Sequence, residues 1–179
     1  MRRALIGTLV IAVLAWVAWR FAVAPRRAGI GEGARPDTVS AGLKAARLYF
    51  AAPSGDSLVS EAREMMETQG LHERVAALVG ELDRGPTSSG VATLPAGTSV
   101  LHVYLDDRGL MTLDLSRAFQ KGFHLGSSAE YLAVTSLVRT LGANLTEVKS
   151  VLITCGGAPI ATLGGHLALE RPIEVSALP

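Results

Sequence analysis

The alternation of apolar and polar positions changes period several times along this chain, and each change marks an element. Residues 4–24 are apolar on every side: Ala4 to Trp19 is a run of sixteen residues without charge, interrupted by Arg20 and resumed as far as Ala24. A run of roughly 20 apolar residues spans a bilayer core, so residues 1–24 predict a transmembrane helix. Trp16, Trp19 and Phe21 gather near its end, where amphipathic rings favour the membrane interface. Residues 25–43 then hold Pro, Gly, Arg and Ser with little to bury, which is the composition of a linker.

From residue 44 to about residue 175 the pattern is that of one folded domain. Ala45 to Phe50 is an apolar run with Leu48 and Phe50 on one face, and Pro53-Ser54-Gly55-Asp56 predicts a turn. Leu58 to Met66 predicts a second strand whose Glu61, Arg63 and Glu64 face solvent. Leu71, Val75, Leu78, Val79 and Leu82 recur at helical spacing, and Gly85-Pro86 ends that helix. Two alternating strands follow, Leu101-Val103-Leu105 and Met111-Leu113-Leu115 at every second position, joined by Asp106-Asp107-Arg108-Gly109. A second helix opens at Ser127, with Glu130 three residues on in a capping-box arrangement, and Gly142 closes it. Val151, Ile153 and Cys155 predict a strand, Gly156-Gly157 a tight turn, and Ala158 to Thr162 the return strand. The order β-β-α-β-β-α-β-β is that of an α+β fold, two helices packed on a small, mostly antiparallel sheet.

Charge divides the chain in two. Residues 1–43 carry six Arg against Glu32 and Asp37, a net +4, and residues 44–179 carry 11 Lys and Arg against 14 Asp and Glu, a net −3. A mildly acidic domain without a basic stripe argues against a nucleic-acid partner, while Arg20, Arg26 and Arg27 suit anionic headgroups. Arginines flank the apolar run on both sides, so charge alone does not orient it. Ala22-Val23-Ala24 would suit a signal peptidase, but Pro25 directly after the cut disfavours cleavage, and an uncleaved anchor is the expectation. Cys155, the only cysteine, excludes an internal disulfide; ending an apolar strand, it is expected in the core.

Residues that could carry chemistry are scattered. His72, His102, His124 and His166 lie on a helix, a strand and two loops, with no second histidine within five residues of any, so no metal site is expected. Cys155 with His166 lacks the helix terminus or positive neighbour that activates a thiol. Gly164-Gly165 has neither the phosphate-loop pattern nor a following helix. In Asp114-Leu115-Ser116, Ser116 caps the turn of Arg117 to Phe119 while Asp114 receives backbone N–H bonds; alternatively, Asp114 lies on a ligand rim with Gly164, Gly165 and His166. Ser116, Phe123 and His124 extend that candidate rim, and the glycine-bounded Phe123-His124-Leu125 either forms a contact patch or folds under the second helix.

Several short motifs, in order, carry a family resemblance. They are Leu48-Tyr49-Phe50, Gly85-Pro86, Leu94-Pro95-Ala96-Gly97-Thr98, Asp114-Leu115-Ser116 with Phe119, Gly126-Ser127 with Glu130, Thr140-Leu141, and Leu163-Gly164-Gly165-His166. Together they make residues 44–174 resemble the GerMN domain family of sporulation and spore germination. The resemblance implies a module similar to the ring-building domains of bacterial envelope assemblies, held outside the cytoplasmic membrane on an anchor. It implies a protein–protein assembly or scaffold role, with envelope proteins or further copies of the chain as partners. The alternative is a module that binds peptidoglycan or assists cell-wall amidases. The family supplies no catalytic residue set, cofactor or metal, and no enzymatic activity is expected. This chain differs in three respects: one domain copy where the founding member has two, an apolar helix where several members carry a lipid anchor, and Cys155-Gly156-Gly157 in place of the usual Asp-Gly turn.

Overall fold

The computed structural model describes residues 42–123 and 126–178. The expected anchor and almost all of the linker lie outside the described residues, among which no helix is long and apolar enough to cross a membrane. Strands β1 (Leu43–Ala51) and β2 (Leu58–Met66) form an antiparallel ribbon paired along its whole length, from Leu43 opposite Met66 to Ala51 opposite Leu58. Helix α1 (Leu71–Arg84) follows and stops at Gly85, whose φ of 83° is open to glycine at little cost. Then come β3 (Val100–Leu105), β4 (Leu110–Leu115), the short helix α2 (Arg117–Lys121) and the long helix α3 (Ser127–Asn144). β5 (Ser150–Cys155), β6 (Ala158–Pro159), β7 (Ile173–Glu174) and a 3-10 turn (Val175–Ala177) complete the domain.

The fold is α+β, as the pattern predicts, but its strands divide into two sheets. β1 and β2 stand apart, and the main sheet runs β3-β4-β5-β6 with β7 also beside β5. Its central pair, β4 and β5, is parallel, because α2 and α3 carry the chain back across the sheet before β5 begins. The other four strand pairings among the described residues are antiparallel, as expected, and this central pair is the exception. Met111, Leu113 and Leu115 of β4 meet Val151, Ile153 and Cys155 of β5, the α1 stripe, and Leu137, Val138 and Leu141 of α3 in one core with Leu48 and Phe50. Each such side chain, fully buried, stabilises the fold by about 1.5–3 kcal/mol.

The two sheets are tied together by an unusual seam. On the side of β1 away from β2, Arg47 N–H donates to Asn144 Oδ1 at 2.9 Å and Asn144 Nδ2 donates to Arg47 O at 2.8 Å. Tyr49 N–H donates to Thr140 Oγ1 at 3.1 Å, and Ser136 Oγ donates to Tyr49 O at 2.5 Å. Ser136, Thr140 and Asn144 stand at i, i+4 and i+8 on α3, so one helical row of polar side chains takes the place of a neighbouring strand. One step further, Ala51 and Val91 exchange backbone bonds of 3.1 and 2.8 Å. Buried Thr135, Ser136 and Thr140 thereby sit on a helix otherwise wrapped in apolar contacts.

Four local expectations change. The N-cap of α3 is Gly126, without a side-chain cap bond, so Ser127 and Glu130 do not form a capping box. Gly142 lies inside α3 rather than ending it: a Cβ there would overlap the side chain of Val175, so it is a packing glycine that lets the 3-10 turn approach. The return strand is only Ala158–Pro159, and β7, which the sequence pattern misses, completes the pairing along β5. Finally, Glu61 and Arg63 are not solvated but largely buried, while Glu64 is exposed as expected.

Candidate functional site

Among the described residues Glu130 is the most deeply buried acid, with no exposed surface. It sits in the first turn of α3, where the helix end favours a negative charge. Its Oε1 accepts from Thr162 Oγ1 at 3.0 Å and Leu163 N–H at 2.9 Å; its Oε2 accepts from His166 N–H at 3.0 Å and lies 3.3 Å from His166 Nδ1. Burial pushes this carboxyl upward, but the N–H groups of Gly164, Leu163 and His166 and the Thr162 hydroxyl outweigh it and hold the pKa at about 2. Glu130 therefore stays ionised and pins the Thr162–His166 loop against the start of α3.

Asp114, near the end of β4, is the centre of a second network and is 6% exposed. Thr154 Oγ1 donates to its Oδ1 at 3.0 Å, and Gly157 N–H reaches both oxygens at 2.9 and 3.1 Å. His102 Nδ1 lies 3.3 Å from Oδ2, on a side chain 85% exposed. Burial raises the Asp114 pKa, yet the Gly157, His102 and Thr154 contacts bring it below the usual carboxylate range. Asp114 thus receives a backbone N–H, as one sequence reading has it, but from the Gly156-Gly157 turn 43 residues away.

Ser116 precedes α2 without capping it through its side chain. Its hydroxyl donates to Gly97 O at 3.1 Å and accepts from Ser99 N–H at 3.1 Å, tying β4 to the segment that leads into β3. Phe123 is buried, so its ring is turned inward rather than lying on an open rim. His124 lies outside the described residues. Gly164, Gly165 and His166 gather around Glu130, and Gly165 takes the left-handed φ of 93°. No hydrogen bond joins the Asp114 and Glu130 networks among the described residues; each is closed on its own loop.

A third carboxylate does the same work on the ribbon. Glu61 accepts from Arg63, from Thr87 N–H at 3.0 Å and Oγ1 at 2.7 Å, and from Ser88 N–H at 3.1 Å and Oγ at 2.8 Å. Arg63 also bonds Glu81 Oε2 at 2.6 Å and Gly85 O at 3.0 Å. The Arg63 bonds come first in lowering the Glu61 pKa to about 2; burial opposes them, and Thr87 and Ser88 add to them. Cys155 is buried, and burial, with the Asp114 charge beside it, pushes its thiol up to about 11. No cluster of three or more His, Cys, Asp or Glu able to hold a metal occurs among the described residues.

Three sequence signals passed unread. Glu130 was legible as an acid at a helix start but not as the anchor of a loop more than 30 residues on. Glu61 and Arg63 share one face of β2 at i, i+2, the only charges on its inward side. The Ser136-Thr140-Asn144 row is a polar period of four within an apolar helix.

The comparisons bear on the domain as a whole. The family model described as Germane, sporulation and spore germination, matches residues 47–161. Among solved structures, the first GerMN domain of the sporulation protein GerM from Bacillus subtilis superposes with a TM-score of 0.57 at 18% identity, covering 70% of this chain and 92% of that one. The tandem GerMN domains of the same protein give a TM-score of 0.56 at 18% identity over 72% of this chain, which spans 44% of the tandem chain. A candidate lipoprotein from Clostridium perfringens gives 0.54 at 18% identity, over 77% of this chain and 91% of that one. No curated protein matches.

Proposed function

Because this chain belongs to the Germane family of sporulation and spore germination, whose model spans residues 47–161, we propose that it is a protein–protein assembly module of the bacterial envelope. In this reading residues 4–24 anchor it in the cytoplasmic membrane and the domain lies on the outer side. The observation that carries the reading is the use made of its buried acids: Asp114 and Glu130 each close a loop onto the main fold, and Glu61 does so on the ribbon. Their acceptor positions are occupied by backbone and hydroxyl donors, and at Glu61 by Arg63 as well, and their charges are held at low pKa, which builds a rigid frame for presenting a surface. The apolar run at residues 4–24 and the likeness to a candidate lipoprotein support placement at the envelope.

The test is lysine-directed cross-linking of the full chain in bacterial membranes, using the exposed Lys44, Lys121 and Lys149. Discrete adducts of higher mass are expected. Their absence, together with saturable co-sedimentation of the chain with peptidoglycan sacculi, would replace assembly with cell-wall binding.

A further inference from the structure

A strand edge with unpaired N–H and C=O groups invites pairing, and folded proteins guard such edges. This domain guards three of its four. The outer edge of β1 is covered by Asn144, Thr140, Ser136 and Val91. β2 turns the charges of Glu61 and Arg63 inward and Glu64 outward, a device that blocks sheet extension. The far side of the main sheet ends in two two-residue strands, one containing Pro159, which has no N–H to offer. β3 has none of these: Val100 to Leu105 carries no Asp, Glu, Lys or Arg, and it exposes Leu101 and, at 67%, Tyr104.

The hydrogen-bond phase of β3 fixes what that edge presents. Asp106 N–H donates to Leu110 O at the turn end of the β3–β4 pair. In an antiparallel ladder hydrogen-bonded and non-bonded pairs alternate, so Tyr104 and His102 face their polar groups toward β4, while Val103 and Leu105 face theirs outward. Among the described residues nothing bonds those outward groups. The bulge between Val100 and His102 leaves His102 to Leu105 as the regular stretch.

We propose that β3 pairs antiparallel with β3 of a second copy of this chain, about a two-fold axis centred on Val103. Three features fit a second copy as the occupant. A two-fold through Val103 sets its outward N–H against the carbonyl of the partner's Val103 and the reverse, so both bonds form at once. The register keeps the faces aligned: the exposed Tyr104 falls beside the partner's His102, and the half-buried Val103 beside the partner's Val103 on the core side. No charges oppose within the regular stretch, because His102 to Leu105 holds no Asp, Glu, Lys or Arg. The inference rests on the assembly reading and names its partner.

The test is Val103→Cys in the full chain in membranes, treated with a short thiol–thiol cross-linker. Directly opposed residues in such a pair lie about 5.5 Å apart between Cα atoms. Native Cys155 is buried and stays silent. The expected result is a species of twice the chain mass from V103C, none from Ala62→Cys on the exposed face of β2, and loss of the dimer when Tyr104→Lys is added to V103C. Tyr104 is exposed, so that change leaves the fold intact while placing a charge on the edge. Equal dimer from A62C, or an adduct of any other mass from V103C, overturns self-pairing. If V103C gives no dimer while lysine-directed adducts persist in the unmodified chain, edge pairing falls and the assembly reading stands; if neither forms, both fall.

Discussion

At the scale of single residues, this domain spends its buried charge on loops. Glu130 is the clearest case, since its side chain meets three donors from Thr162, Leu163 and His166 without any exposed surface. Its folded pKa of about 2 lies below its ordinary value of 4.5, so its contribution to stability is complete above about pH 4.5 and is lost as the pH falls towards 2. At ~1.4 kcal/mol per unit, that loss amounts to about 3 kcal/mol. Glu130→Gln should therefore be less stable than the native chain at pH 7 by about 2 kcal/mol, since an amide satisfies fewer of these donors. The gap should narrow as urea unfolding is repeated at lower pH. A gap that stays constant down to pH 2 would show that the carboxylate is not held ionised. Sequence reading recognised Glu130 as belonging to a helix start because that signal is local; its partners lie 32 to 36 residues away, beyond any local pattern.

At the scale of elements, strands and helices were legible where their period was internal to the segment. β2 runs from Leu58 to Met66 and α1 carries the expected buried stripe of Val75, Leu78, Val79 and Leu82, because alternation and helical spacing are written in the residues themselves. β7 was not legible, being two residues long and existing only because β5 offers Ser150 and Val151 as partners. Nor was the parallel joining of β4 and β5, which depends on where α3 delivers the chain. The seam between α3 and β1 makes a prediction of its own. Thr140→Val keeps the side-chain volume but leaves Tyr49 N–H without its acceptor, and should cost about 1–2 kcal/mol in urea unfolding. An unchanged midpoint would mean that water or a shifted β1 replaces the bond.

At the scale of the molecule, a single core joins the ribbon, the main sheet and both long helices. Leu137 has no exposed surface in that core, and Leu137→Asp would bury a charge with no partner, a change of several kcal/mol against a typical stability of about 5–15 kcal/mol. The near-ultraviolet circular dichroism of the whole domain should collapse, including signals from the ribbon tyrosine Tyr49. Loss confined to the main sheet would show that the two parts fold separately. The α+β class followed from the element order, but the division into two sheets did not, since it rests on three polar side chains of α3.

That seam also has a mechanical meaning. Tension entering at Leu43, the first residue of β1, would meet Asn144 at Arg47, then Thr140 and Ser136 at Tyr49, then Val91 at Ala51, one attachment after another. Between those attachments the same strand buries Leu48 and Phe50 against the residues of β4 and β5, so the seam cannot part beyond Arg47 without drawing on the core. Load on the N-terminal side is therefore carried by the whole body, and the ribbon cannot lengthen without opening the core it shares.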